Sequence, residues 1–190
     1  MVPLSHHEVL SPEGSSGTRT GLTQVITGDG KGKTTAAVGT VIRASGHNLK
    51  VYISFFMKAG RDSGEFTVLS KFPNVTLSRF GTPGPTDPKN IKPEQREQAK
   101  LALIAAKKAL LSGKYDLVVL DEINVASHFK LIKVEDVLEL IRQKPANVEL
   151  ILTGRYADSR IVEAADLVTE CREIKHPWNK GITARKGIEY

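Results

Sequence analysis

The chain has 190 residues and a formal net charge of +6, a size that suits one domain. Its hydrophobic and charged fractions are ordinary for a globular protein, and no apolar run approaches the ~20 residues that span a bilayer, so we expect no membrane segment. The single cysteine, Cys171, excludes an internal disulfide, and the first twenty residues contain no apolar stretch typical of a secretory signal. These features favour a cytoplasmic protein.

The excess of basic residues is compatible with two kinds of partner, a polyphosphate ligand or a nucleic acid. Lysines and arginines are spread along the chain, with no dense basic block and no repeat that interleaves them with aromatic residues. We therefore favour the polyphosphate and expect no nucleic-acid partner.

Residues 1–20 are rich in serine, glycine, proline and charge, which predicts a flexible arm ahead of a single domain over residues 21–190. His6 and His7 lie in this arm, and two adjacent histidines in a flexible segment rarely hold a metal by themselves.

After residue 20, apolar runs alternate with helical patterns. The predicted strands are 22–27, 50–56, 75–80, 116–121, 148–153 and 167–174, and the predicted helices are 33–45, 93–112, 134–143 and 159–165. Residues 81–92, rich in glycine and proline, form a loop long enough to be functional. The alternation predicts βαβ units and a mainly parallel central sheet flanked by helices, with ligands at the carboxyl ends of the strands.

The first strand end carries a phosphate-binding pattern. Residues 27–34 read TGDGKGKT between a predicted strand and a predicted helix, the context that a P-loop requires. Glycines allow backbone N–H groups to face phosphate oxygens, Lys33 adds a point charge, and the Thr34 hydroxyl can reach Mg²⁺. Thr27 replaces the usual first glycine, and the alternative is a surface turn. The residues expected to bind ATP are Gly28, Asp29, Gly30, Lys31, Gly32, Lys33, Thr34 and Thr35.

Two further strand ends carry charged residues. The apolar run 118–120 ends in Asp121 and Glu122, and a P-loop protein needs a carboxylate near its Mg²⁺. We expect Thr34, Asp121 and Glu122 to form the metal site; a strand end merely capped by acids is the alternative. Arg155 follows the strand 148–153 and is placed to bind phosphate, or to lie in solvent as part of an ordinary turn.

Read together, these segments resemble one family. GDGKGKTTAA (28–37), LDEIN (120–124), LTGR (152–155) and the tail KHPWNKGITARKGIEY (175–190) occur in the order and at the spacing of the ATP:corrinoid adenosyltransferases of the P-loop type. The resemblance covers about residues 21–190 and implies a P-loop NTPase (RecA-like) three-layer fold. Within the tail, His176 and Tyr190 match the family, and a packing or inter-subunit role is as plausible as ligand contact.

The resemblance implies transfer of the 5′-deoxyadenosyl group of ATP to the Co(I) centre of a reduced corrinoid, with release of triphosphate. It also implies Mg²⁺, a homodimer, and a reductase or reduced flavoprotein as partner. The corrinoid would be cobalamin, cobinamide or cobyrinic acid diamide. Lys33, Thr34, Glu122 and Arg155 are the expected catalytic residues, with Lys31 as a further neighbour of the triphosphate.

Apolar side chains near cobalt would favour loss of its lower ligand and so ease reduction to Co(I). Five of the chain's aromatic residues are candidates for this role, namely Phe55, Phe56, Phe80, Phe129 and Trp178. We predict Phe80, at the start of the 81–92 loop, as the wall of the corrinoid site, and expect at least one of Phe55 and Phe56 to be a core residue. Lys58 and Arg61 follow the second strand and can reach phosphate or corrinoid, or lie in a solvated loop.

Two other functions fit a P-loop. A small-molecule kinase would release ADP and would use an arginine-rich lid, but the 81–92 loop contains no arginine. A nucleotide-switched binding module would release orthophosphate slowly. Product analysis separates both from an adenosyltransferase.

Overall fold

The computed structural model describes residues 19–60 and 63–189, and within them it contains one six-stranded sheet. The strands are β1 (Thr23–Thr27), β2 (Val51–Phe55), β3 (Val75–Arg79), β4 (Leu117–Asp121), β5 (Glu149–Thr153) and β6 (Leu167–Glu170). Their order is β3-β2-β4-β5-β1-β6, and neighbouring strands pair in parallel, so all their carboxyl ends lie along one edge of the sheet.

Helices connect these strands. They are α1 (Lys33–Gly46), α2 (Gly64–Leu69), α3 (Pro93–Leu110), α4 (Ile123–His128), α5 (Val134–Gln143) and α6 (Ser159–Ala164), followed by a 3-10 turn at Pro177–Lys180. Pro93 begins α3 because its fixed φ suits the first helical position, where its missing N–H leaves no helical hydrogen bond unmade. Within the described parts of the chain, none of the helices has the length and apolarity needed to cross a membrane.

The central strands are buried on both faces, which explains their continuous apolar sequences. On β4, Val118 and Leu120 pack into the cluster that contains the alanine-rich face of α3, whereas Leu117 and Val119 pack into the cluster that contains α1. Burying one such side chain contributes about 1.5–3 kcal/mol. The two clusters produce three layers, and the predicted fold class is confirmed.

The predicted elements are all present, with bounds that differ by a few residues at their ends. The largest difference is β6, which ends at Glu170 rather than at residue 174. Helices α2 and α4 were not predicted, because six residues contain fewer than two helical turns and show little periodicity. The predicted arm over residues 1–20, with His6 and His7, lies almost wholly outside the described residues, as do Arg61 and Tyr190. The division at residue 20 therefore stays a prediction.

Strand order determines which side chains meet. β5 lies between β4 and β1, so Thr153 at its end separates the acidic end of β4 from the loop that follows β1. Such an edge is where ligands bind in open parallel sheets.

Candidate active site

The loop between β1 and α1 is shaped by glycines and supported by β6. Gly28 and Gly32 have φ of 97° and 120°, in the region that side chains disfavour. A Cβ on Gly28 would lie 2.4 Å from the carbonyl oxygen of Cys171, and the Gly30 N–H donates to that same oxygen at 2.7 Å. The loop therefore packs directly against the end of β6. It leads into the N-terminus of α1, and a helix N-terminus is a favourable place for an anion.

Lys33 is the buried cation of this loop. Its side chain begins α1, the residue is 9% exposed, and its Nζ donates to the Gly30 carbonyl at 2.6 Å. Burial lowers the pKa of Lys33, and the positive charge of Arg155 lowers it further. An anion beside Lys33 would offset both effects.

Asp121 is the centre of the hydrogen-bond network at the end of β4. It is 1% exposed, and its Oδ1 accepts from Thr34 Oγ1 at 2.9 Å and from Thr153 Oγ1 at 2.6 Å. Its Oδ2 accepts from Lys58 Nζ at 2.5 Å. The carboxylate is thus fixed by three side chains that come from three different segments.

Glu122 occupies the turn between β4 and α4. Its φ is 64°, and its N–H donates to Thr153 Oγ1 at 3.1 Å. Burial raises the pKa of the Glu122 carboxyl, and the adjacent Asp121 raises it further, while Lys58, Lys33 and Arg155 act in the opposite direction. A buried carboxyl with a shifted pKa in a cleft indicates a functional site.

These groups line a common cavity of about 370 Å³. Its lining comprises residues 30–35, Lys58, Glu122, Arg155, His176, Ile188 and Glu189. All four predicted catalytic residues, Lys33, Thr34, Glu122 and Arg155, therefore face one space. Of the other predicted loop residues, Gly28 packs against the backbone of Cys171, and Asp29 is exposed. A second cavity of about 320 Å³ adjoins the first and shares Thr34, Thr35 and Lys58 with it.

The chain's last described residues cover the phosphate loop. Lys31 Nζ donates to the Ile188 carbonyl and to Glu189 Oε1, each at 3.1 Å. Glu189 also accepts hydrogen bonds from Arg185, which lowers the pKa of the Glu189 carboxyl to about 2. Glu189 was not predicted as a site residue; the family-like tail was the signal that pointed to this segment.

The aromatic candidates occupy different environments. Phe55 and Phe56 are buried, which confirms their expected place in the core. Phe80 is half-buried, and its backbone bridges the Phe55 carbonyl and the Lys58 N–H. Phe129 is half-buried, and Trp178 is 68% exposed. Phe80 as the corrinoid wall stays a prediction.

The oxygen donors near Thr34 suit a magnesium ion. Within residues 19–60 and 63–189 no three His, Cys, Asp or Glu side chains form a ready metal cage. Mg²⁺, however, usually takes one or two protein oxygens and completes its shell with phosphate and water. Thr34 and Glu122 line the cavity, and Thr34 Oγ1 lies 2.9 Å from Oδ1 of the buried Asp121 behind it. This set of hard oxygen donors fits the ion.

Comparison with known proteins identifies the family. Residues 19–190 match the family model described as "ATP:corrinoid adenosyltransferase BtuR/CobO/CobP". The corrinoid adenosyltransferase of Pseudomonas aeruginosa is 35% identical over 170 residues, covering 90% of this chain and 84% of its own length. The protein of the same name from Escherichia coli K12 is 34% identical, covering 90% of this chain and 86% of its own length. The one from a Sinorhizobium species is 36% identical, covering 90% of this chain and 80% of its own length. The chain therefore belongs to the ATP:corrinoid adenosyltransferase family.

Proposed function

We propose that this enzyme transfers the 5′-deoxyadenosyl group of ATP to the Co(I) centre of a reduced corrinoid in cobalamin biosynthesis, releasing triphosphate. The observation that supports this proposal, beyond family membership, is the convergence of Lys33, Thr34 and Arg155 on one cavity beside a glycine-shaped phosphate loop. A triphosphate would fill this part of the site.

The reaction needs no side-chain nucleophile. The electron pair of Co(I) forms the Co–C5′ bond, and the C5′–O bond breaks with its electron pair leaving on the triphosphate. The protein's tasks are to hold C5′ in line with cobalt and to stabilise the negative charge of the leaving group. The described site provides cations and hydroxyls for the second task.

We assign the roles as follows. Lys33 and Arg155, which both line the cavity, bind the triphosphate, and backbone N–H groups of residues 30–34 add further donors. Thr34 and Asp121 hold Mg²⁺, with Glu122 as a third oxygen donor. When bound, the metal supplies positive charge to the leaving group. Thr153 keeps Asp121 and the Glu122 backbone in place through the two bonds of its hydroxyl.

Fewer structural observations support the part of the site that would bind the corrinoid. We propose that Phe80, at the edge of the sheet beside Lys58, forms part of the corrinoid wall. From the family we further propose a homodimer, a separate reductase or reduced flavoprotein that generates Co(I), and a place in the cytoplasm. Cobalamin, cobinamide and cobyrinic acid diamide are all candidate acceptors.

The test is an anaerobic incubation of the full chain with MgATP and chemically reduced cob(I)alamin or cobinamide, followed by visible spectroscopy and phosphate analysis. We expect a light-sensitive adenosylcobalt product and one equivalent of triphosphate. Lys33→Ala should lower the rate about 10²–10³-fold, the range for loss of one preorganised group that stabilises charge. Lys100→Ala, an exposed lysine on α3, is the matched control and should keep the rate.

Other products would support other functions. ADP with a phosphorylated acceptor would indicate a kinase, and ADP with orthophosphate would indicate a nucleotide switch. Either product without adenosylcobalt would contradict the proposed reaction.

A further inference from the structure

Lys58 is held in a constrained position at the end of β2. The preceding residue, Met57, has a left-handed φ of 58°, and the Lys58 N–H donates to the Phe80 carbonyl at 2.9 Å. This turn brings the side chain back over the sheet edge, where it is 20% exposed. Its Nζ lies 5.7 Å from the centre of the Phe55 ring. The turn thus fixes the backbone position, and the ammonium is carried on a flexible four-carbon stem.

The ammonium of Lys58 lies between the two oxygen donors best placed to hold magnesium. Its Nζ is 2.5 Å from Asp121 Oδ2 and 3.3 Å from Thr34 Oγ1. It therefore makes the contacts that a cation at this point would make. Asp121 is almost fully buried, and a buried carboxylate without a counter-charge is strongly destabilising, so some cation is needed here.

We propose that Lys58 is the resident counter-cation of the metal site: it neutralises Asp121 in the nucleotide-free enzyme and moves to the triphosphate when the metal binds. Because this exchange needs a metal and a triphosphate at the phosphate loop, it rests on the proposed function. Lys58 acts as a positioning residue, since its hydrogen bond to Asp121 Oδ2 keeps that carboxylate oriented before the substrate arrives.

The surroundings of Lys58 support this exchange. Lys58 lines both adjoining cavities, so a rotation of its side chain places the ammonium in the space beside residues 30–35. Its Nζ already contacts Asp121 Oδ2 and Thr34 Oγ1, so the ammonium competes with a metal ion for the same oxygens.

The exchange has a thermodynamic consequence. A metal ion alone must displace Lys58 and leave the ammonium without its anionic partner, so it binds weakly. With triphosphate present, the displaced ammonium gains a new partner, so metal and triphosphate each strengthen the binding of the other. A neutral residue at position 58 removes the competition, so only the coupling that comes from direct contact between metal and phosphate remains.

The experiment measures binding rather than activity. Mn²⁺, which can be followed by electron paramagnetic resonance, is titrated at pH 8 into the full chain with and without inorganic triphosphate. In the wild type we expect weak Mn²⁺ binding that triphosphate strengthens by about tenfold or more, within the usual range of coupling. In Lys58→Met we expect Mn²⁺ alone to bind about tenfold more tightly, and the coupling, corrected for the Mn²⁺–triphosphate complex that forms in solution, to fall by about the same factor.

Two controls separate the exchange from simpler effects. Lys58→Arg keeps the charge and should retain the weak binding of Mn²⁺ alone. Lys100→Met removes an exposed positive charge on α3, outside the cavity lining, and it should change Mn²⁺ affinity by less than about twofold, because exposed charges interact weakly. If Lys58→Met does not fold, Lys58→Gln keeps a neutral donor to Asp121 and should show the same tighter binding.

Two results would overturn the exchange: unchanged or weaker Mn²⁺ binding in a folded Lys58→Met or Lys58→Gln protein, or an equal gain in Lys100→Met. The first would make Lys58 a structural ion pair only. Failure of the proposed function is distinguishable, because a wild type with strong metal–triphosphate coupling but no adenosylcobalt product would contradict the reaction and leave the exchange intact.

Discussion

The side chains of Lys31 and Glu189 form an ion pair at 3.1 Å although they lie 158 positions apart in the chain. Lys31 belongs to the phosphate loop, and Glu189 is the last described residue. The pair places a carboxylate at the wall of the cavity that we propose for triphosphate. If triphosphate binds in this cavity, we expect Glu189 to compete with it for Lys31.

The first prediction concerns this competition. Glu189→Gln removes the negative charge and should tighten binding of inorganic triphosphate by roughly twofold to fivefold, the effect of one exposed ion pair. Isothermal titration calorimetry at constant Mg²⁺ measures the change. Glu163→Gln, an exposed carboxylate on α6, is the control and should bind as the wild type does. Weaker binding in Glu189→Gln would show that the tail helps to hold the nucleotide instead.

The pH dependence of this contact follows from the pKa of Glu189. Hydrogen bonds from Arg185 lower it to about 2, below its ordinary value of 4.5. A carboxyl whose pKa is lowered in the folded protein stabilises its contact at any pH above its ordinary pKa. That stabilisation is lost as the pH falls towards the lowered pKa. The competition by Glu189 should therefore be unchanged between pH 8 and pH 5.

The second prediction concerns Glu122, whose pKa is shifted the other way. Burial raises the pKa of Glu122 above its ordinary value of 4.5. At a pH above 4.5, Glu122 therefore holds a proton more readily in the folded protein than in the unfolded chain. The contribution of Glu122 to stability therefore falls as the pH rises through the raised pKa, and the ionised form is unfavourable at pH 8. Glu122→Gln removes this cost, because the amide has the same shape without the charge.

We therefore expect the Tm of Glu122→Gln to exceed that of the wild type at pH 8, and the difference to shrink towards pH 4. Each 1 kcal/mol corresponds to roughly 2–4 °C for a chain of this size. Adenosyl transfer should fall at the same time, as expected where stability is sacrificed for function. Circular dichroism melts measure the first effect. Glu97→Gln, exposed on α3, should leave both unchanged, and a lower Tm for Glu122→Gln at pH 8 would contradict the expectation.

Much of the fold was predictable because the central strands are buried on both faces. Such strands have continuous apolar sequences, and glycine or proline marks the turns between them. The short helices α2 and α4 were not predictable in the same way. Helix α4 follows the left-handed Glu122 directly, and its six residues are set by packing of Ile123 and Ala126 against the sheet rather than by a repeating pattern.

The candidate site was predictable where it depends on strand ends. Carboxyl ends of parallel strands share one edge, so Lys33, Glu122 and Arg155 were expected to meet, and they line one cavity. The partners of Lys58 and Glu189 were not predictable, since they depend on the turn at Met57 and on the path of the tail. Sequence patterns describe neighbours along the chain, whereas these contacts join segments far apart.

The third prediction tests how the phosphate loop is supported. Gly30 is buried, and a Cβ there would lie 2.7 Å from the backbone carbon and oxygen of Arg172, which cannot rotate away as a side chain would. Gly30→Ala should therefore push the loop off the end of β6. We expect a loss of about 1–3 kcal/mol in the free energy of unfolding, the usual cost of overpacking, and triphosphate binding weakened by at least about tenfold.

Gly39 provides the matched control, because it lies on the exposed side of α1 with no atom within 4 Å of an added Cβ. Gly39→Ala should gain up to about 1 kcal/mol from helix propensity and bind triphosphate as the wild type does. Urea denaturation and calorimetry measure both variants. If Gly30→Ala kept wild-type stability and affinity, the contact between the loop and the end of β6 would not be what shapes the phosphate site.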